Sequence, residues 1–486
     1  MRTRLGPGLA LGLAFVLGLA APASATNFRI YGYGARAIAM GGAMTAHVDD
    51  QSAPFYNPAG LVGSLDTELV LGFQFVDVDV SASNPSPIPE GSVRSSDAFP
   101  IDDTFGSYGG VKLIVPLGAE LADRIGFGFA LYSGFPSSVN TEIPFGFVPQ
   151  YTLLNGPADV LTVQPAFGIR LLDELRIGLG AAIFADIGGN LEIPTGVRGS
   201  DGVNDAATVI DQEVQPIVRG VAGLQLDGGL VSPSLEPFSF GVTWRDAFSI
   251  PLQIPVTVLL GPIPLNIDVL SNLLYTPQQV TMGWSYRDDD LTVAVDLAWQ
   301  QWSKYKAPTL QLALDVAIPV VPVDLKDAVN GDPGTKDTWV PRLGVEWRAY
   351  HDRDTETSLW LRGGYAYQPT PFPEQRGNTS YLDTDRHVFG AGVGLALNEL
   401  PVWGALEDEV VLDLGVQWNY FESRVHRKDR INPLFVVDDD PLGFPPIEDD
   451  QGRPIADPGY PTIEGDANVV VIMLTSTIRF GGEEDR

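Results

Sequence analysis

From residue 69 to the end, the chain is organised by alternation of apolar and polar positions with a period of two. Leu412, Leu414, Val416, Trp418 and Tyr420 fall on one face, with Asp413, Gly415, Gln417 and Asn419 on the other. Leu291, Val293, Val295, Leu297 and Trp299 alternate with Thr292, Ala294, Asp296, Ala298 and Gln300 in the same way, and Leu175 to Ile183 repeats the pattern. Such alternation predicts half-buried strands, not helices. Fourteen are read, at 69–80, 107–117, 124–133, 160–171, 174–188, 213–227, 237–246, 276–287, 290–302, 338–349, 356–369, 385–398, 407–421 and 467–480. Short connections alternate with long ones at 81–106, 134–159, 189–212, 247–275, 303–337, 370–384 and 422–466. A sandwich has no reason to follow that rhythm. A transmembrane barrel does, with short turns on the periplasmic rim and long loops outside. The predicted fold is all-β: a closed antiparallel barrel of about fourteen strands across an outer membrane.

The ends refine the picture. Arg2 and Arg4, an apolar run from Leu9 to Leu19, and Ala23-Ser24-Ala25 read as a signal peptide over 1–25, and hence as export. The apolar run is short of the roughly 20 residues a spanning helix needs. The last strand is expected to close at Phe480, leaving 481–486 as a periplasmic tail. Residues 26–68 do not alternate, are rich in Gly and Ala, and are long enough to fill a lumen as an N-terminal hatch. The barrel itself is then 69–480.

Charge removes some classes of function. The formal net charge is −31, which argues against nucleic acid as a partner. Part of the acid lies in one loop-like stretch, at Asp438-Asp439-Asp440 and Glu448-Asp449-Asp450. Its bland role is a solvated loop; divalent-cation binding is the sharper alternative. There is no cysteine, which excludes disulfide and zinc-thiolate chemistry. Four histidines without metal spacing, and no Gly-x-Ser-x-Gly elbow, give no support for catalysis. No enzyme activity, catalytic residue, metal or cofactor is expected.

Three connections are unusually apolar. Phe145, Phe147 and Tyr151 lie in the first, Val258, Leu259, Leu260, Ile263 and Leu265 in the second, and Leu310 and Leu312 in the third. Exposed apolar patches mark binding surfaces, so these residues are candidates for capturing a hydrophobic ligand. Packing of the loops on one another is the alternative. By alternation Arg170, Arg176, Arg342, Arg362 and Arg479 point into the lumen, to pair with acids such as Glu346, Asp296 and Asp413 or to meet a ligand's carboxylate. Gly106, Gly109 and Gly110 suggest a kinked strand with a side opening.

The run Gly34-Ala35-Arg36-Ala37-Ile38-Ala39-Met40-Gly41-Gly42-Ala43, then Asp49 to Ala53, then Asn57-Pro58-Ala59-Gly60, resembles the hatch of the FadL family. Asp296 to Tyr305, Leu343 to Trp347, Arg362 to Pro371 and Asp385 to His387 look like that family's later strands, in family order. The resemblance implies a fourteen-strand, plugged outer-membrane transporter of long-chain fatty acids, some relatives taking aromatic hydrocarbons. It implies a monomer whose partners are a long-chain fatty acid or other hydrophobic small molecule, outer-membrane lipid, and the barrel assembly machinery during biogenesis. An aromatic-hydrocarbon channel or a general porin is the competing reading. The acidic loop and the six residues after Phe480 depart from the family pattern, so ligand choice is less determined than fold.

Overall fold

The computed structural model describes residues 31–83, 101, 103–115, 123–135, 149–154, 160–186, 189–194, 207–212, 217–260, 263–306, 311–315, 333–377, 379–398, 409–429, 447–448, 454–455 and 461–480. The strands are β1 (Thr67–Ser83), β2 (Thr104–Ile114), β3 (Ile125–Phe135), β4 (Val160–Leu172), β5 (Leu175–Asp186), β6 (Gly189–Pro194), β7 (Ala207–Gln212), β8 (Ile217–Asp227), β9 (Phe238–Arg245), β10 (Phe248–Leu260), β11 (Ile263–Thr276), β12 (Gln279–Arg287), β13 (Leu291–Gln300), β14 (Gln311–Asp315), β15 (Thr338–Asp352), β16 (Thr357–Gln368), β17 (Arg386–Leu397), β18 (Glu409–Arg427), β19 (Ile447–Glu448), β20 (Pro454–Ile455) and β21 (Thr462–Phe480). Fourteen of them close into one barrel, in the order β1-β2-β3-β4-β5-β8-β9-β12-β13-β15-β16-β17-β18-β21. β21 pairs back onto β1 from Thr67–Phe480 to Ser83–Glu464, so the sheet has no edge. Closure satisfies every ladder in lipid, which an open sheet does not.

Each predicted strand overlaps one of these fourteen, and the last ends at Phe480 as expected. Residues 1–30, including the expected signal peptide, and 481–486 lie outside the described residues. So do Phe145, Phe147, Leu310 and Asp438 to Asp440.

The outer surface carries the apolar half of the alternation. Leu71, Phe73 and Phe75 of β1 and Leu412, Leu414 and Val416 of β18 are exposed side chains facing outward. Trp244 and Trp299 both sit opposite Val280, and Trp299 sits opposite Trp339, so one aromatic row crosses four strands. Trp347, on the same face as Trp339, lies roughly 27 Å further along β15 at 3.4 Å per residue. Two aromatic girdles around an apolar band of about 25 Å are what a membrane barrel presents.

The alternation reverses phase above that band. On β1 the outward positions change from Leu71, Phe73 and Phe75 to Asp77 and Asp79, while the inward ones change from Gln74 to Val76, Val78 and Val80. β21 reverses likewise, from outward Leu474 and Ile472 to outward Asp466 and Glu464, with Ile463, Ala467 and Val469 inside. Beyond the membrane, water is outside, so the apolar face turns inward. Residues 149–154 and 379–384 are packed on this face through Tyr151, Leu154 and Leu382.

The expectation of an exposed loop over 247–275 is corrected. β10 and β11 form a hairpin that leaves the barrel and pairs with β14 in a separate three-stranded sheet. By register, Ile254, Val256, Val258, Leu260, Ile263, Leu265, Ile267, Val269, Leu312 and Leu314 share one face of it. Leu259, by contrast, falls on the other face, opposite Pro264. The side opening at Gly106, Gly109 and Gly110 is corrected too. β2 pairs without a break to β1 and to β3 across all three glycines. A side chain at Gly106 would meet Tyr132, and one at Gly110 would meet the Tyr33 hydroxyl. These glycines make room for inward-pointing tyrosines.

Candidate functional site: the lumen

Residues 31–66 lie inside the barrel. Helix α1 (Ala35–Ala39) runs into a turn at Gly41 and Gly42, whose φ values of 63° and 75° suit glycine. Helix α2 (Ala53–Tyr56) and a 3-10 turn (Pro58–Val62) follow. The walls opposite are glycine wherever this backbone comes close. Added Cβ atoms at Gly364 or Gly415 would overlap the backbone around Met40 or Ala35, and one at Gly178 would overlap Pro58.

Asn57 organises the Asn-Pro-Ala-Gly turn. It is extended, at φ −157°, as the residue before a proline prefers. Its Oδ1 accepts from the Ala59 N–H at 3.1 Å, while Nδ2 donates to the Thr45 and Leu224 carbonyls at 2.8 and 3.0 Å. The side chain is fully buried, and all its polar capacity goes to the turn, its neighbour and the wall.

Charge fixes the rest of the segment. Arg36 bridges Asp49 and Asp50 within the segment to Glu346 of β15, at 3.1, 2.9 and 2.8 Å. Glu346 also takes Arg362 at 2.6 Å, and Arg362 reaches Asp413 at 2.5 Å. Asp296 accepts from the Met44 and Thr45 N–H groups at 3.1 Å and from the Thr45 hydroxyl at 2.7 Å. Glu68 accepts from the Gln51 N–H at 2.7 Å and from Arg479 at 3.0 Å.

These anchors divide the lumen. On the side of the short turns is a vestibule of about 710 Å³ whose walls mix Asp49, Asp50, Glu68, Glu409 and Asp413 with Arg36, Arg362 and Arg479. On the side of the long connections is a narrower chamber of about 190 Å³. Tyr31, Phe55, Tyr56, Tyr275, Trp302, Tyr305 and Phe421 line it, together with Arg219, Arg245, Arg342 and Arg386; no carboxylate does so among the described residues. Arg245 lies over the Phe55 ring at 5.0 Å and donates to the Phe55 carbonyl. Among the described residues Arg245 and Arg342 have no acid within bonding distance and repel each other, Arg342 also feeling the attraction of Asp296, its cross-strand neighbour. Gly42 lies against Arg342, and a Cβ there would be in ordinary contact with its Cδ at 3.6 Å.

The arginines read from alternation thus separate. Arg170 donates to the Val62 carbonyl, Arg176 pairs with Asp227 at 2.6 Å, and Arg362 and Arg479 are held by acids. These four anchor structure, while Arg342 faces the chamber. Arg219, Arg245 and Arg386 were missed. Each lies within three residues of a strand end, where a single turn of alternation is too little pattern to assign a face. Tyr151 is not an exposed capture residue: it is buried, and its hydroxyl donates to the Ser81 carbonyl at 2.9 Å. Val258, Leu259, Leu260, Ile263, Leu265 and Leu312 belong to the separate sheet.

A closed fourteen-strand barrel with a girdled apolar exterior defines a bacterial outer-membrane protein. In sequence and fold it is similar to the FadL-like outer-membrane transporters. The sequence profile of the family described as outer membrane protein transport protein (OMPP1/FadL/TodX) matches residues 270–430. Alkane uptake protein A of Marinobacter nauticus is 22% identical over 420 residues, covering 80% of this chain and 82% of that one. Among solved structures, a Pseudomonas aeruginosa FadL homologue aligns at TM-score 0.55 and 14% identity, over 95% of this chain and all of that one. The P. putida toluene transporter TodX aligns at 0.51 and 13%, over 93% of this chain and all of its own. At these identities the structural likenesses speak to fold. Proteins of this family are transport channels.

Proposed function

We propose that this barrel carries hydrophobic molecules inward across the outer membrane, with long-chain fatty acids as its main substrates. The signal peptide delivers it, residues 26–68 act as its hatch, and Asn57-Pro58-Ala59-Gly60 is the hatch's fixed point. The supporting observation is Arg245 and Arg342, neither ion-paired at bonding distance among the described residues, in a chamber lined by aromatic rings and by uncharged Thr and Gln side chains. An alkane gains nothing from a guanidinium, and an aromatic hydrocarbon gains only a cation–π contact. A carboxylate takes a charge-assisted hydrogen bond from one, while each buried CH₂ adds about 0.8 kcal/mol. The apolar face of the β10–β11–β14 sheet suits it as a first landing surface.

The alternative is a neutral substrate. Its support is the relative that takes up alkanes and the structural neighbour that transports toluene. Binding to the purified barrel separates the two. An eighteen-carbon carboxylate should bind well above its methyl ester, and Arg245→Ala with Arg342→Ala should reduce the carboxylate at least tenfold while leaving the ester unchanged. Equal binding of both, insensitive to the substitutions, favours hydrocarbons.

A further inference from the structure

The chamber is covered on its outer side by two short segments. Thr152 and Leu153 from one, and Thr384 from the other, contribute to its lining. Gln150 and Tyr381 form an isolated parallel bridge, with the Gln150 N–H donating to the Ser380 carbonyl at 3.0 Å and the Leu382 N–H to the Gln150 carbonyl at 2.8 Å. Asp383 completes the joint. Its two carboxylate oxygens each accept a backbone N–H, from Thr152 and from Leu153, both at 2.8 Å.

We propose that residues 149–154 and 379–384 form a second gate, on the outer side of the arginine chamber, with the Asp383 carboxylate as its latch. This rests on the reading of the lumen as a transport path, but not on the identity of the substrate. The joint is suited to opening. It holds through a few backbone bonds and through Tyr151 and Leu382 set on the apolar inner wall, where Gly465 leaves room for both. Asp383 is fully buried yet has no ion pair among the described residues, and an unpaired buried carboxylate is costly. Burial pushes its carboxyl up to about 7, against the opposing pull of the two N–H donors and of Arg386. Tyr151 and Tyr305 also face it, and Lys428 sits nearby, bonded to the Ser380 hydroxyl at 3.2 Å. An apolar chain arriving from outside competes for the same wall that seats Tyr151 and Leu382.

The absence of native cysteine makes the test clean. Gln150→Cys with Tyr381→Cys places two thiols at bridge-paired positions, within the Cα separation a disulfide tolerates. Oxidation is expected to lower uptake of a labelled long-chain carboxylate at least tenfold, with recovery on reduction. The single-cysteine variants should be indifferent to oxidant. Full uptake with the disulfide formed would overturn the gate. If the reduced double variant is itself inactive, Asp383→Ala, which deletes the acceptor, decides by hydrogen exchange in the folded barrel. Faster exchange at Thr152 and Leu153, with unchanged exchange in α1, supports the latch; unchanged exchange at both segments overturns it. Loss of carboxylate preference alone would count against the fatty-acid reading and leave the gate standing.

Discussion

Arg36 inside the barrel and Glu346 in its wall meet through two guanidinium nitrogens, at 2.8 and 2.9 Å, with the carboxylate almost fully shielded from water. Arg36 also carries both acids of the Asp49-Asp50 pair, so one side chain ties two parts of the segment to β15. Glu346→Gln leaves Arg36 and Arg362 short of a charge they share. Breaking a buried pair by removing one partner costs on the order of 3 kcal/mol. The expected outcome is faster hydrogen exchange across Ala35–Ala39 and increased ion leak in planar bilayers, with the barrel's own melting little changed.

Asn57 and Gly223 should behave as one unit. A Cβ at Gly223 would overlap the Asn57 side-chain oxygen, so Gly223→Ala expels the amide that Asn57→Ala deletes. Each unsatisfied buried group costs about 1–3 kcal/mol. Both variants are expected to loosen the 3-10 turn by similar amounts. The double variant should be no worse than the more severe single one, as measured by exchange at Ala59 and Gly60. Additive effects would separate the two residues.

The gate should respond to pH in a defined direction. Asp383 titrates near 7 when docked and near an ordinary 3.8 when the gate is open and the carboxyl meets water. Between those values the docked state holds the proton and the open state does not, so docking weakens as pH rises from about 4 to about 7 and then levels off. Protection of the Thr152 and Leu153 amides, compared between pH 5 and pH 8, should be higher at pH 5. Asp383→Asn should flatten the difference.

How much of this was legible in the sequence follows from where the pattern is long. All fourteen barrel strands carry enough alternation to be read, and Trp418 or Leu474 must face lipid whatever the loops do. β10 and β11 were hidden by Pro251, Pro255 and Pro264, which argue against a sheet. β10 is an edge strand, where proline is tolerated, and β14 pairs β11 only from Asn266 to Leu270, leaving Pro264 free on that side. The reversal at Asp77 is visible in Val76-Asp77-Val78-Asp79-Val80, but its meaning depends on knowing where the membrane ends. The chamber was harder still. Arg219 and Arg245 come from the neighbouring strands β8 and β9, Arg386 from β17 and Arg342 from β15, and only the curved wall of the barrel turns all four into one chamber.

Uptake itself tests the central claim most directly. Cells lacking their own fatty-acid channel, expressing this chain, are given a labelled long-chain carboxylate and a labelled alkane of equal length, and internal label is measured over time. Saturable entry of the carboxylate, lost at least tenfold in the Arg245→Ala, Arg342→Ala variant, is the predicted result. Entry of neither compound, together with open ion conductance by the purified barrel in bilayers, would contradict the account and make the protein a general porin.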